Sequence, residues 1–104
     1  MRRFPRFTRR FSPSSRNYED PQYKEWRKLV LARDGRKCQY PGCDCHKGLQ
    51  VHHILGWSEY PALRFNIQNG ITLCYQHHKL VNGNESAYVK IFTDILIKKL
   101  RENL

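Results

Sequence analysis

The chain has 104 residues, which allows one small domain and not two. Lys and Arg number 19 against 9 Asp and Glu, so the formal net charge is +10 and a polyanionic partner is favoured, nucleic acid above all. The sequence has no long apolar run to span a membrane and no apolar stretch near its start to act as a signal peptide. We therefore expect a cytoplasmic protein that does not associate with membranes.

The first 18 residues are predicted to form a flexible basic arm. Residues 1–16 hold six arginines and no acid, and prolines interrupt them. Arginine side chains suit phosphate contacts, and the interleaved phenylalanines suit base stacking. The alternative is a solvated tail, or one that packs its phenylalanines on the domain. The arm residues predicted to bind DNA are Arg2, Arg3, Arg6, Arg9 and Arg10.

Residues 19–104 are predicted to form the folded domain, which opens with a helix. Asp20 can cap this helix, Pro21 suits its first turn, and Asp34-Gly35 ends it after about Arg33. Its apolar face is expected to hold Tyr23, Trp26, Leu29 and Val30. Two short strands and two further helices are expected at 49–54, 71–73, 75–81 and about 86–102. The last helix is amphipathic, and its apolar stripe serves the core or, alternatively, a dimer.

Four cysteines in a chain without a secretion signal predict a metal site in preference to two disulfides. Zinc takes four sulfur or nitrogen ligands, usually as two close pairs, and would help so small a core to fold. Cys74 and His77 form one close pair. Cys38 forms the other pair with Cys43 across a Pro-Gly turn, or with Cys45. The preferred set is Cys38, Cys43, Cys74 and His77.

Adjacent histidines near the end of the first strand indicate a second site. Neighbours on a strand point to opposite sides, so one of His52 and His53 can bind a metal while the other activates water. A histidine near its free pKa suits that base role, and phosphodiester hydrolysis also needs a cation. His78 lies about 100° around its helix from His77, so the two can serve different metals. Asn82 is either a weaker ligand or water-holding group, or only a helix cap.

These residues together resemble the HNH endonuclease family. The pattern consists of the His52-His53 pair, Asn69 in the loop, and Cys74 followed by His77 and His78 at a helix start. The likeness covers roughly residues 23–83. The stretch that holds these motifs is similar to small HNH proteins of bacteriophages and mobile elements. It implies a small α+β domain with a ββα-metal, treble-clef-like motif at about 38–83, a structural zinc and flanking helices.

The resemblance also implies roles for individual residues. His53 would be the general base, and Asn69 would hold the loop and orient it. His52 and His78, with Asn82, would bind a catalytic magnesium, manganese, nickel or zinc ion. Relatives often carry histidine in place of Asn82, cysteine in place of His77, and a two-residue spacer between the first two cysteines. These departures bear on the metal preference and on the zinc site.

We therefore expect a metal-dependent HNH endonuclease that nicks or cuts DNA. Arg64 and Lys79 would contact phosphates together with the arm. The resemblance adds a phage origin, the host cytoplasm as location and the packaging terminase as a partner. The alternatives are a non-catalytic, zinc-stabilised DNA-binding module and a terminase-accessory subunit. We expect a monomer or a weak dimer.

Overall fold

The computed structural model describes residues 16–103. The arm arginines predicted to bind DNA, Arg2, Arg3, Arg6, Arg9 and Arg10, lie outside the described residues. The described part is a small α+β fold with a two-stranded antiparallel sheet and three helices. In chain order the elements are α1 (Pro21–Arg33), β1 (Gln50–His53), β2 (Gly70–Leu73), α2 (Tyr75–Val81) and α3 (Glu85–Glu102). Among these helices, none is both long and apolar enough to cross a bilayer.

Helix α1 has the ends that its sequence predicts. The Asp20 carboxylate accepts a hydrogen bond from the Gln22 N–H at 2.9 Å, and Gly35 leaves the helix with a φ of 66°. The predicted face was wrong at one position, because Leu29 is exposed and Leu31 is buried. Positions 29 and 31 lie on opposite edges of the stripe of Tyr23, Trp26 and Val30, and the edge that carries Leu31 is the one packed into the buried cluster.

The two strands pair antiparallel, with Gln50 opposite Leu73 and His53 opposite Gly70. Helix α1 covers one face of the sheet, where a buried cluster contains Tyr23, Trp26, Val30, Leu31, Val51 and Trp57. Helices α2 and α3 cover the other face. The cluster there contains Cys38, Ile54, Ile71, Leu73, Cys74, Val81, Phe92 and Leu96. The loop between the strands includes two 3₁₀ turns, at Pro61–Leu63 and Ile67–Asn69.

A buried carboxylate joins the end of α1 to β2. The Asp34 carboxylate accepts the Thr72 N–H at 2.9 Å and is paired with the Arg33 guanidinium at 2.8 Å. The same guanidinium donates to the carbonyls of Ile67 and Gly70. Because a buried charge is tolerated only when it is fully paired, this network fixes α1 against β2, the strand that pairs with β1.

Gly70 faces α1 so closely that a side chain has no room. A Cβ there would lie 2.6 Å from Trp26 Cζ2 and 2.8 Å from a Val30 methyl group. We expect Gly70→Ala to lower the free energy of unfolding by about 1–3 kcal/mol, the usual cost of overpacking, in urea denaturation. Gly56→Ala is the control, since a Cβ there meets only the end of the Glu59 side chain. Equal losses in both variants would contradict the steric explanation.

Helix α3 uses part of its apolar stripe for the core. Phe92 and Leu96 are buried, whereas Ile91, Ile97 and Leu100 are exposed. The helix begins at Glu85, one residue before the predicted start. Its basic last turn includes Lys99, whose Nζ lies 4.0 Å from the Asp34 carboxylate. The helix thus closes the second face of the sheet beside the candidate site.

Candidate active site and metal centre

Four thiol and imidazole groups meet between the first turn after α1 and the start of α2. Their ligand atoms all lie within 4.8 Å of one another, and they belong to Cys38, Cys43, Cys74 and His77. Cys38 and Cys74 are buried, and the other two side chains are half-buried. This cluster is positioned to bind a metal ion such as zinc.

The turn that brings Cys38 to Cys43 is closed by backbone geometry. The Cys43 N–H donates to the Tyr40 carbonyl at 2.9 Å, and Gly42 takes a φ of 82°, which glycine adopts without steric cost. The Tyr40 ring stacks on the His77 imidazole with centroids 4.0 Å apart. This stacking holds the imidazole with its Nδ1 near the sulfurs.

The distances within the cluster match those between the ligands of a tetrahedral zinc ion. His77 Nδ1 lies 3.5 Å from Cys38 Sγ and 3.4 Å from Cys74 Sγ. Zn–S bonds of about 2.3 Å and Zn–N bonds of about 2.0 Å put tetrahedral ligands about 3.5 Å apart. Burial raises the pKa of the Cys38 thiol to about 12, so a bound cation would be needed to hold the thiolate that zinc requires. The donor set fits zinc.

Cys45 lies outside this cluster. Its thiol points to the Lys47 carbonyl at 3.6 Å, and its own carbonyl accepts the Cys38 N–H at 2.8 Å. The chain therefore pairs Cys38 with Cys43 and uses the backbone of Cys45 to shape the turn. His46 is exposed, with its Nδ1 3.2 Å from the Arg36 carbonyl oxygen, and is also outside the cluster.

A second site lies in a cleft of about 710 Å³ along β1. Four of the residues predicted for the active site line it: His52, His53, His78 and Asn82. Asn69 is buried behind the cleft wall. The cleft is also lined by Arg16, the last arginine of the predicted arm, and by Glu85, which no sequence motif marked. The structure thus separates the cysteine cluster from a histidine-lined cleft, with helix α2 contributing to both.

His53 is held with one ring nitrogen fixed and the other without a partner. Its Nε2 lies 2.9 Å from the Arg64 carbonyl oxygen, which can only accept, so Nε2 carries the proton. Its ring stacks on Trp26 with centroids 4.0 Å apart and meets the edge of Trp57 at 5.4 Å. Its Nδ1 is buried and has no hydrogen-bond partner among the described residues. This geometry leaves the Nδ1 lone pair free to accept a proton.

The environment of His53 shifts its titration. Burial lowers the pKa of His53 to about 4; the hydrogen bond to the Arg64 carbonyl opposes this, and the nearby charge of Arg16 adds to it. The expectation of a pKa near that of free histidine was therefore wrong, because the sequence does not show that two aromatic rings enclose the imidazole. The ring is neutral at neutral pH, as a general base must be before it acts.

Asn69 braces the loop that holds His53. Its side-chain oxygen accepts the Leu55 N–H at 2.8 Å, and its amide donates to the carbonyls of Leu55 and Leu63 at 3.1 and 3.2 Å. The loop between these residues and β2 presents the Arg64 carbonyl to His53. Asn69 therefore acts on the position of His53 through the backbone and does not enter the cleft.

His52 points to the opposite side of the strand, toward α2 and α3. Its ring lies 5.7 Å from the Phe92 ring and 5.9 Å from the His78 ring, between centroids. Burial, and next the proximity of His78, lower the pKa of His52 to about 4. Its Nε2 is buried without a hydrogen-bond partner among the described residues. A neutral imidazole with an unused buried lone pair fits a divalent cation, for which neutral histidine is the ligand form.

Asn82 ends helix α2 and also lines the cleft. Its N–H donates to the His78 carbonyl at 2.9 Å, and its side chain is exposed. The two interpretations of Asn82, as a helix cap and as a group near a metal, are therefore compatible. An amide oxygen at this position would complement the two imidazoles of His52 and His78 as a weak ligand.

The cations predicted to contact DNA differ in their surroundings. The Arg64 guanidinium lies over the Trp57 ring at 4.4 Å, and its Nε donates to the Trp57 carbonyl at 2.8 Å. Lys79 is exposed on α2. Arg16, the last arginine of the predicted arm, also has its guanidinium over the Trp57 ring, 5.4 Å from the ring centroid, and it lines the cleft. Of these three cations, Arg16 is the one that lines the cleft.

Trp26, which the sequence marked only as core, contacts the candidate site. It is 1% exposed, and its Nε1 donates to the Asn66 carbonyl at 2.9 Å. Its ring forms the floor on which the His53 imidazole lies. No local pattern could have assigned this contact, because helix α1 is far from β1 in sequence.

Comparison of the sequence with protein-family models, and of the chain with curated proteins and solved structures, gave no match. A functional conclusion therefore depends on the two sites described above and on the charge of the chain. The site geometry supplies a neutral histidine with a free lone pair, and a neighbouring histidine suited to a cation.

Proposed function

We propose that this chain is a metal-dependent HNH endonuclease with a ββα-metal fold, and that it hydrolyses phosphodiester bonds of DNA. One observation carries the proposal. His53 Nδ1 and His52 Nε2 are both buried without hydrogen-bond partners among the described residues, and both residues line the same cleft. Buried polar atoms without partners are rare in folded proteins, and unsatisfied atoms in a cleft indicate a bound group.

His53 is the proposed general base. Its Nε2–H is held by the Arg64 carbonyl and its ring by Trp26, so Nδ1 has a fixed direction. In the reaction Nδ1 would take the proton of the attacking water, and the resulting imidazolium would keep its bond to the Arg64 carbonyl. Burial makes this base weak in the free chain. A phosphate diester beside the ring would raise its pKa, because a nearby negative charge favours the protonated form.

His52 and His78, with Asn82, are the proposed ligands of a divalent cation, which would be magnesium, manganese, nickel or zinc. Such a cation would stabilise the negative charge on the phosphate and the leaving oxygen. The chain's own part is to keep both imidazoles neutral by burial and to orient His52 against Phe92. The structural zinc of the cysteine cluster would fix the start of α2 and with it His78.

DNA would be held by charge with little sequence preference. The formal net charge of +10 favours the phosphate backbone. Arg16, which lines the cleft, and Lys79, which is exposed on α2, would contact phosphates, with the arm arginines as further contacts. Arg64 would contribute its charge from its place over Trp57.

A zinc-stabilised DNA-binding module without catalysis is the second candidate. It shares the net charge and the cysteine cluster, but it has no need of His53 with a fixed tautomer or of His52 with an unused nitrogen. These two features favour the enzyme. A phage origin, the host cytoplasm and a partnership with the packaging terminase belong to the same proposal through the family resemblance, and a pull-down with terminase proteins tests the partnership.

Cleavage of supercoiled plasmid by the zinc-loaded protein tests the function. We expect no cleavage without a further added ion, and cleavage when magnesium, manganese or nickel is supplied. A single site cuts one strand per encounter, so open-circular DNA should accumulate before linear DNA. A chain that shifts DNA on a gel but leaves it intact with every ion would contradict the enzyme and support the binding module.

A further inference from the structure

Glu85 places a carboxylate at the edge of the proposed cation site. It is the first residue of α3 and lines the same cleft as His52 and His78. Its carboxylate accepts the Gly83 N–H at 3.0 Å, which ties it to the turn that follows Asn82. The N–H groups of Gly83 and of Glu85 itself hold the pKa of this carboxyl below its usual range, and the nearby His52 and His78 act in the same direction. Glu85 is thus an anion at neutral pH.

The cleft needs such an anion if it is to hold a divalent cation. Histidine binds a metal as the neutral imidazole and the Asn82 amide is uncharged, whereas Arg16 adds positive charge to the lining of the cleft. The acids among the described residues that line the cleft are Glu59 and Glu85. Glu59 has an oxygen next to Gly56, in the loop after β1, whereas the Glu85 carboxylate is bonded to the turn that follows Asn82, one of the proposed ligands.

The buried nitrogen of His52 is the independent sign of a ligand at this position. His52 is 6% exposed, and its Nε2 has no hydrogen-bond partner among the described residues. Within the described part of the chain, the cysteine cluster is the group whose ligand atoms all lie within 4.8 Å of one another. The ligand atoms of His52, His78 and Glu85 do not all lie within that distance of one another, so a direct bond from each of them to one ion is not required by the inference below.

We infer that Glu85 is the acidic group of the divalent-cation site and contacts the ion through one of its coordinated water molecules. The inference rests on the proposed function, because it uses the cation site of His52 and His78. Magnesium and manganese prefer oxygen donors and retain water, whereas two imidazoles alone suit nickel or zinc. Glu85 therefore allows the site to bind magnesium or manganese, although Asn82 supplies only a weak third ligand.

Manganese binding without DNA tests this role. Zinc-loaded wild type, Glu85→Gln, Glu59→Gln and His78→Ala are titrated with Mn²⁺, and free Mn²⁺ is read by electron paramagnetic resonance. Gln can still accept the Gly83 N–H, so the turn is preserved. We expect Glu85→Gln to raise the Mn²⁺ dissociation constant by about 10-fold or more, the range found for groups that support metal ligands. Nickel affinity should change less, and Glu59→Gln should bind as wild type does.

Each other outcome has a distinct meaning. If Glu85→Gln binds Mn²⁺ as wild type does while His78→Ala has lost it, the inference about Glu85 fails and the proposed cation site stands. The same conclusion follows if Glu59→Gln weakens binding as much as Glu85→Gln, because the effect would then be one of net charge. If the folded wild-type chain binds no Mn²⁺, the cation site of the proposed function fails as well.

Discussion

His53→Ala is expected to lower the single-turnover rate of DNA cleavage by about 100- to 10,000-fold, the range that a general base contributes. The substitution removes the buried ring nitrogen that has no hydrogen-bond partner among the described residues, but leaves His52, His78 and the cysteine cluster unchanged. DNA affinity should change little, because phosphate contacts come from arginine and lysine side chains. Cleavage of a labelled duplex with protein in excess measures the rate, and a gel shift measures the affinity.

Two further variants make the His53 result interpretable. His46→Ala is the matched control, since His46 is exposed and lies outside both sites. His53→Gln fills more of the space against Trp26 than alanine does. A lower cleavage rate in this variant as well would show that the loss in His53→Ala does not come from a cavity. Retained cleavage in a folded His53→Ala protein, or an equal loss in His46→Ala, would remove His53 from the base role.

Loss of the structural zinc is expected to unfold the domain. Structural zinc contributes about 10–16 kcal/mol to folding in zinc-finger peptides, which exceeds the stability of most small domains. Here the ion would join the turn after α1 to the start of α2, so its removal would release both. We expect Cys74→Ser to lack bound zinc and to lose its cooperative thermal transition by circular dichroism, with one zinc per chain in the wild type.

Cys45→Ser is the control for the zinc prediction. The Cys45 thiol points to a backbone carbonyl outside the cluster, so this variant should keep its zinc and its melting temperature. A Cys45→Ser protein that loses zinc as Cys74→Ser does would show that the ligand set is wrong. A zinc-free wild-type chain with an unchanged thermal transition would contradict the structural role of the ion.

Much of the local structure was predictable because its signals are local. Asp20 and Pro21 define the start of α1, and the Asp34-Gly35 pair defines its end. Helix α2 has its predicted bounds, and each observed strand lies within one residue of its prediction at either end. Cys74 and His77 stand three residues apart at a helix start, so they share a side of it. For these elements, short-range spacing is enough.

The parts that could not be predicted depend on contacts between distant segments. Whether Cys43 or Cys45 shares the metal site with Cys38 depends on how the turn folds back. In the structure the Cys45 carbonyl accepts the Cys38 N–H and so closes the turn. The low pKa of His53 follows from its burial against Trp26, and these residues come from different elements. Spacing along one segment carries no information about such packing.

The most direct test of the central claim is to measure the cleavage rate and Mn²⁺ binding on the same zinc-loaded protein as the Mn²⁺ concentration is raised. We expect cleavage to follow occupancy of the single site formed by His52 and His78. Both curves should share one midpoint and should be lost together in His52→Ala and His78→Ala. Cleavage that persists in either folded variant, or that proceeds without Mn²⁺ bound, would contradict a metal-dependent nuclease at this cleft.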